Sequence, residues 1–266
     1  MKTKKLLALS LGSAALVLSA QTVSAACSDV SRSALTDAIS AAEAASTGGY
    51  GLNMWVTVVD ETGKVCHVAT SGTTGSAAGN SEWLGSRVIS AQKAFTANAF
   101  SLDGYAISTG NLYSAVQPGG SLYGLQHSNP VDASRAYAGS PNAYGTNSDP
   151  LKNKRVGGVN VFGGGLAIYS GGHKVGAIGV SGDTSCRDHA YAWRVREALG
   201  MHPAGTGITT SNMNAAGTAQ TALTGAAKGD ELILTGTGGY WDAWSQPACP
   251  NSTPTATTAN GTLQAP

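Results

Sequence analysis

The sequence predicts an α+β fold, with one antiparallel sheet flanked by helices in a single domain that carries a C-terminal extension. Three observations predict it. Two stretches alternate with the period of a strand, turn over a short polar or glycine-rich link and return, which reads as a pair of hairpins. Each hairpin is followed by a run with apolar residues at helical spacing. Charged residues make up only 12% of the 266 residues while glycine contributes 36, a composition that favours tightly turned sheet over a helical bundle.

The elements follow in order. Residues 1–25 read as a secretory signal: Lys2, Lys4 and Lys5, an apolar core from Leu6 to Leu18, then Val23-Ser24-Ala25 as small residues before a cleavage point. Cys27 follows, but Ser24 stands where a lipobox needs an aliphatic residue. Ser28 to Ser46 has a helical rhythm (Val30, Leu35, Ile39, Ala42, Ala45) closed by Gly48-Gly49. Leu52 to Val58 alternates as a strand, Asp60 to Gly63 is a turn, and Lys64 to Thr70 is the returning strand. Glu82 to Phe100 repeats Leu84, Val88, Ala91, Phe95 and Ala99 on one helical stripe. Residues 101–155 form an insertion with little regular structure, Ser140 to Asp149 being its least anchored part. A second hairpin runs from Leu166 to Ser181 about the turn Ser170-Gly171-Gly172-His173. A helix then starts near Ser185, with Asp188 at capping-box spacing, and ends at Gly200. Residues 201–250 contain one strand, Glu231 to Thr235, and residues 251–266 are too poor in core-forming side chains to fold.

Charge and cysteines bound the function. Removal of residues 1–25 takes away three lysines and no carboxylate, so the formal charge falls from +1 to −2. A chain so nearly neutral has no field for nucleic acid. No second long apolar run exists, so no membrane span is expected. Cys27, Cys66, Cys186 and Cys249 all survive removal of the signal, and in a secreted or periplasmic protein an even count reads as two disulfides with three possible pairings. No CxxC spacing, Walker loop or GxSxG elbow is present.

The stretch VGGVNVFGGGLAIYSGGHKVGAIGVSGDTSCRDHAYAWRVREALG (Val156 to Gly200), the helix piece Ser90 to Ala97 and the first hairpin around Asp60 and Gly63 resemble the GlcG/HbpS-like haem-binding family, also found as the C-terminal domain of PduO-type proteins. The resemblance spans residues 27–200. Pro118 to Gln126 and Asp183 to His189 resemble a longer exported branch, in which a late H-P-x-C is replaced here by Gln246-Pro247-Ala248-Cys249. The resemblance implies a profilin-like sheet, assembly into homo-oligomers and haem or a related tetrapyrrole as ligand, for storage, sensing or handling, with a binding protein expected over an enzyme.

Of the three pairings, the expected one joins the two motif cysteines, Cys186 and Cys249, and leaves Cys27 with Cys66, while the sequence keeps the other two open. A disulfide competes with the sharper reading of Cys186 as a thiolate nucleophile at a helix N-terminus beside His189. The expected ligand cleft lies between the Glu82–Phe100 helix and the glycine-rich hairpin. Phe95 and Tyr113 face the ring, Lys93 meets a propionate, Thr96 shares its helix face, and the iron ligand is His189 with His127 as alternate. Against these stand a solvated lysine, a threonine bonded back to its helix and a core-edge histidine. Arg87 and Arg194 read as solvated cations, and His173 and His202 as surface residues. Two other functions compete: an enzyme or sensor for a small carboxylate, clamped by Lys93, and an interaction module without a small ligand.

Overall fold

The computed structural model describes residues 26–45, 48–75, 83, 85–203, 230–235, 244–250 and 262–263. Residues 1–25, read as the signal, and the tail from residue 251, apart from the strand at 262–263, lie outside them.

Four antiparallel strands form the central sheet in the order β2-β1-β4-β3: β1 Trp55–Asp60, β2 Val65–Thr70, β3 Gly165–Ser170 and β4 His173–Ser181. Both predicted hairpins are present. The first turns where the Asp60 carboxylate accepts from the backbone N–H groups of Thr62 and Lys64, and Gly63 takes a positive φ of 76°. The second turns on Gly171-Gly172, both at positive φ, the pair of conformations that matches the twist of a two-residue hairpin. β1 starts at Trp55 rather than Leu52, because the backbone before it is drawn away to Asp183.

β1 lies in the sheet's interior, and both its faces are buried. Val56 and Val58 pack with Leu35, Ile39, Ala42, Tyr191 and Val195, which belong to α2 (Arg32–Ala45) and α6 (Ser185–Ala198). Trp55 and Val59 pack on the opposite side against Ala91, Ala94 and Ala97 of α3 (Ser86–Phe100). The period of two thus separates two cores instead of a core and solvent.

The predicted first helix is two helices, α1 (Ala26–Asp29) and α2. The break at Val30-Ser31 arises because the Ser31 hydroxyl accepts from the Ala34 N–H and caps a new start. The insertion has 3₁₀ turns and two four-residue helices, α4 (Leu125–Ser128) and α5 (Ala133–Ala136). Its Ser140–Asp149 stretch is anchored, contrary to expectation. Asp149 is buried against Arg87 with an Nε–Oδ2 distance of 3.0 Å, and the same guanidinium lies over the Tyr144 ring at 3.8 Å. Arg87 is therefore a core cation, not a solvated one, and Arg194 is buried as well. His173 is exposed against Asp103, while His202 is half-buried. The expected strand at Glu231 to Thr235 shortens to β5, Leu232–Ile233, which pairs with β6, Thr262–Leu263.

The disulfides are Cys27–Cys66 and Cys186–Cys249, the expected pairing among the three possible. Bridged sulfurs leave no thiolate at Cys186. The first bridge ties α1 to β2. The second ties residues 244–250 to the first turn of α6. No described helix is long and apolar enough to cross a membrane.

Candidate functional site

The interface expected to hold a ligand is closed. α3 lies directly on the glycine-rich strand: a Cβ at Gly179 would sit 2.0 Å from the Ser90 carbonyl oxygen and 2.4 Å from the Ala94 nitrogen. A Cβ at Gly165 would collide with Thr109 and with the Lys93 carbonyl oxygen. The glycines and the alanine face of α3 serve close packing of backbone on backbone, and no space is left for a flat guest.

Lys93 lies inside that interface, 2% exposed. Its ammonium donates to Asp188 Oδ2 at 2.7 Å and to the Val180 carbonyl at 3.0 Å. The contact joins α3 to α6 past the start of β3, and Gly164 makes the passage: a side chain there would lie 3.1 Å from Lys93 Nζ and 3.0 Å from Asp188 Cβ. Burial lowers the lysine pKa and raises that of Asp188 to about 6, each opposed by the partner's charge. Lys93 is thus a structural cation and neither a propionate contact nor a clamp for a small carboxylate.

The other expected residues scatter. Thr96 donates back to the Gln92 carbonyl, and its hydroxyl also accepts from the Asn160 N–H, so it is a structural residue of the same interface. Phe95 is half-buried with its ring over Gly63 in the first hairpin turn. His127 is exposed on α4 in the insertion. His189 is 1% exposed, and neither ring nitrogen has a hydrogen-bond partner. Its Cβ lies behind Gly163, and the Trp193 ring is 6.2 Å away. Burial, with the charges of Arg196 and Lys93 adding to it, lowers its pKa to about 3, so the imidazole is neutral. The capping arrangement also differs from the expected one. Thr184 caps α6 by accepting from the Arg187 N–H, while Asp188 reaches back to the Asp183 N–H.

Of the expected residues, Tyr113 borders an open cleft. This cleft, of about 500 Å³, opens at the N-terminus of α6. Its walls are Tyr50, Trp83, Tyr113 and Phe162, the N-terminal turn of α6 at Asp183 to Ser185, and the segment Gln246 to Pro250. The rings form two pairs, Tyr50–Trp83 with centroids 6.3 Å apart and Tyr113–Phe162 at 6.1 Å. Tyr50, Trp83 and Phe162 are 51%, 43% and 42% exposed, an unusual outlay of aromatic surface.

Each wall is fixed from behind. Asp183 gathers the backbone N–H groups of Tyr50, Leu52 and Thr184 and the Arg187 guanidinium. Burial alone would raise this carboxyl, but those donors outweigh it and hold it below the usual carboxylate range. Gly49, at φ 62°, has no room for a Cβ beside Asp183, so the loop carrying Tyr50 follows the carboxylate closely. Gln246 is buried and accepts from the Gly163 N–H at 2.9 Å while donating to the Ser185 hydroxyl at 3.0 Å. Its backbone pairs with Ile233 and Thr235. Together with the Cys186–Cys249 bridge it holds residues 244–250 against α6. Sequence reasoning missed Tyr50, Trp83, Phe162, Asp183 and Gln246 as site residues. The one available signal was Phe162, a large apolar side chain isolated within a glycine run.

A larger cavity of about 680 Å³ lies at the other end of α6, between Asp29, Asp37, the Ser170–Gly172 turn and His202. Of its two described rings, Tyr169 is buried and hydrogen-bonded to the Leu102 carbonyl, and His202 is half-buried. Among the described residues no group of three or more His, Cys, Asp or Glu is placed to hold a metal ion.

A family model for haem degrading protein HbpS-like matches residues 30–196, more than half of the chain. The chain belongs to the HbpS-like family. Among solved structures, this HbpS-like chain is similar to protein ORFY of Klebsiella pneumoniae, at 24% identity over 64% of this chain and 90% of the other, with a TM-score of 0.41. It is similar to PduOC, solved as a haem complex, at 23% identity over 65% and 94% with a TM-score of 0.43. A double mutant of HbpS from Streptomyces reticuli matches at 20% identity over 73% and 98%, with a TM-score of 0.42. A search of curated protein sequences finds no match.

Proposed function

We propose that this HbpS-like protein is exported and binds haem or a related tetrapyrrole in the aromatic cleft at the N-terminus of α6. Family membership supports the ligand class. The observation that carries the location is the meeting of four aromatic side chains around one open cleft, three of them about half exposed. Offset and edge-on aromatic contacts contribute about 0.5–1.5 kcal/mol each beyond area burial, and a flat conjugated ring gains several of them at once. The residues 1–25 signal and the two disulfides support export.

The residues present fit the macrocycle but not its iron. None of the described cleft residues is a histidine, a methionine or a free cysteine. None of the described cleft residues is a cation that would favour a phenolate at Tyr50 or Tyr113 as the alternative ligand. The protein's part is therefore to bind, orient and partly desolvate a planar guest. Hemin added to purified protein should perturb the Soret band and quench tryptophan fluorescence with one-to-one stoichiometry. An unperturbed spectrum at micromolar protein contradicts the proposal.

A further inference from the structure

We infer that the cleft recognises its guest as a flat π surface, and that it takes a metal-free porphyrin as readily as an iron porphyrin. The inference rests on the tetrapyrrole reading and narrows it to one recognition mode.

Four features point the same way. The described walls supply rings, two prolines, an alanine, hydroxyls and an amide, but no nitrogen or sulfur free to bind iron. His189 is buried behind Gly163, the residue after the wall residue Phe162. The stretches that flank Trp83 and Gln246 to Pro250 along the sequence are equally poor. Residues 76–84 and 236–261 contain no His, Met, Lys or Arg, and their one cysteine is Cys249, held in the bridge to Cys186. Finally, the one charged wall residue, Asp183, is already satisfied by three backbone N–H groups and Arg187. An anionic propionate finds no cation among the described wall residues and stays in water, and the ring supplies the binding energy.

The walls are set before the guest arrives. Gln246 spans from the Gly163 N–H to the Ser185 hydroxyl, and the disulfide fixes the segment it belongs to. A preformed slot loses little side-chain entropy on binding, which suits a rigid planar ligand without a coordinate bond.

The test is a parallel titration of the full mature protein with hemin and with protoporphyrin IX, both followed by tryptophan quenching. Dissociation constants within about threefold of each other are expected, because stacking ignores the metal. Tyr50→Phe and Tyr113→Phe should bind both porphyrins as the parent does, since each keeps the ring and loses only the phenol. A Tyr113→Ala/Phe162→Ala double variant should lose about tenfold or more for both. Hemin binding more than about tenfold tighter than protoporphyrin, or lost in either Tyr→Phe variant, overturns the inference and leaves the haem reading standing. Binding of neither porphyrin overturns both. Equal binding that the double variant does not weaken also overturns the inference, because the guest then lies elsewhere.

Discussion

Two glycine-rich regions meet at α6, and they behave in opposite ways. Where α3 crosses β4, Gly179 and Gly165 let backbone lie on backbone, and Lys93, Asp188 and Thr96 are consumed in holding that contact. Around Gly163 the same composition borders an open cleft, with Phe162 turned into solvent and Gln246 tied to the glycine N–H. A run of glycines is thus not in itself a platform for a ligand. What distinguishes the second region is the partly exposed aromatic surface gathered around an open cleft.

The contrast can be broken by substitution, and the largest effect should come from the closed interface. Lys93→Met removes the partner of a fully buried carboxylate and should cost about 3–5 kcal/mol in urea unfolding. Lys93→Met combined with Asp188→Leu should recover much of that loss, since no charge is then left unpaired. A solvated lysine would show neither effect. Next in size, Gly179→Ala drives a methyl into the Ser90 carbonyl and should cost about 3 kcal/mol, measured in the same way.

His189 sharpens the comparison through pH. Its folded form stays neutral down to about pH 3, whereas an unfolded histidine takes a proton near 6.5. Between those values the unfolded chain binds more protons, so stability should fall on acidification with a slope of up to about 1.4 kcal/mol per pH unit. Asp188, raised to about 6, acts in the opposite sense over part of the window, so the readout is the difference between parent and His189→Leu. The variant should lack this share of the acid sensitivity and be nearly neutral at pH 7, because it removes a buried polar ring that has no partner. Equal acid slopes in the two proteins would mean that His189 is wetter than the structure shows.

The sheet was legible because strand period, turn residues and helical stripes agree along the local sequence. The two hairpins and α3 needed no distant information. The sequence left three disulfide pairings open, and the bridges Cys27–Cys66 and Cys186–Cys249 match the expected one. The site was not legible, for the opposite reason. Tyr50, Trp83, Tyr113, Phe162 and Gln246 come from five separate stretches, each aromatic isolated and without periodicity. Lys93 was misjudged because its partner, Asp188, lies 95 residues away and across the sheet. Arg87 was misjudged likewise, since Asp149 lies in an insertion with no regular pattern.

The central claim is that the guest lies on the aromatic cleft and not between α3 and the glycine-rich hairpin. Parallel hemin titrations of Tyr113→Ala/Phe162→Ala and His189→Leu test it most directly. The account predicts weakening by about tenfold or more in the first and parent-like affinity in the second. Parent-like affinity in the cleft variant with loss in His189→Leu would contradict it.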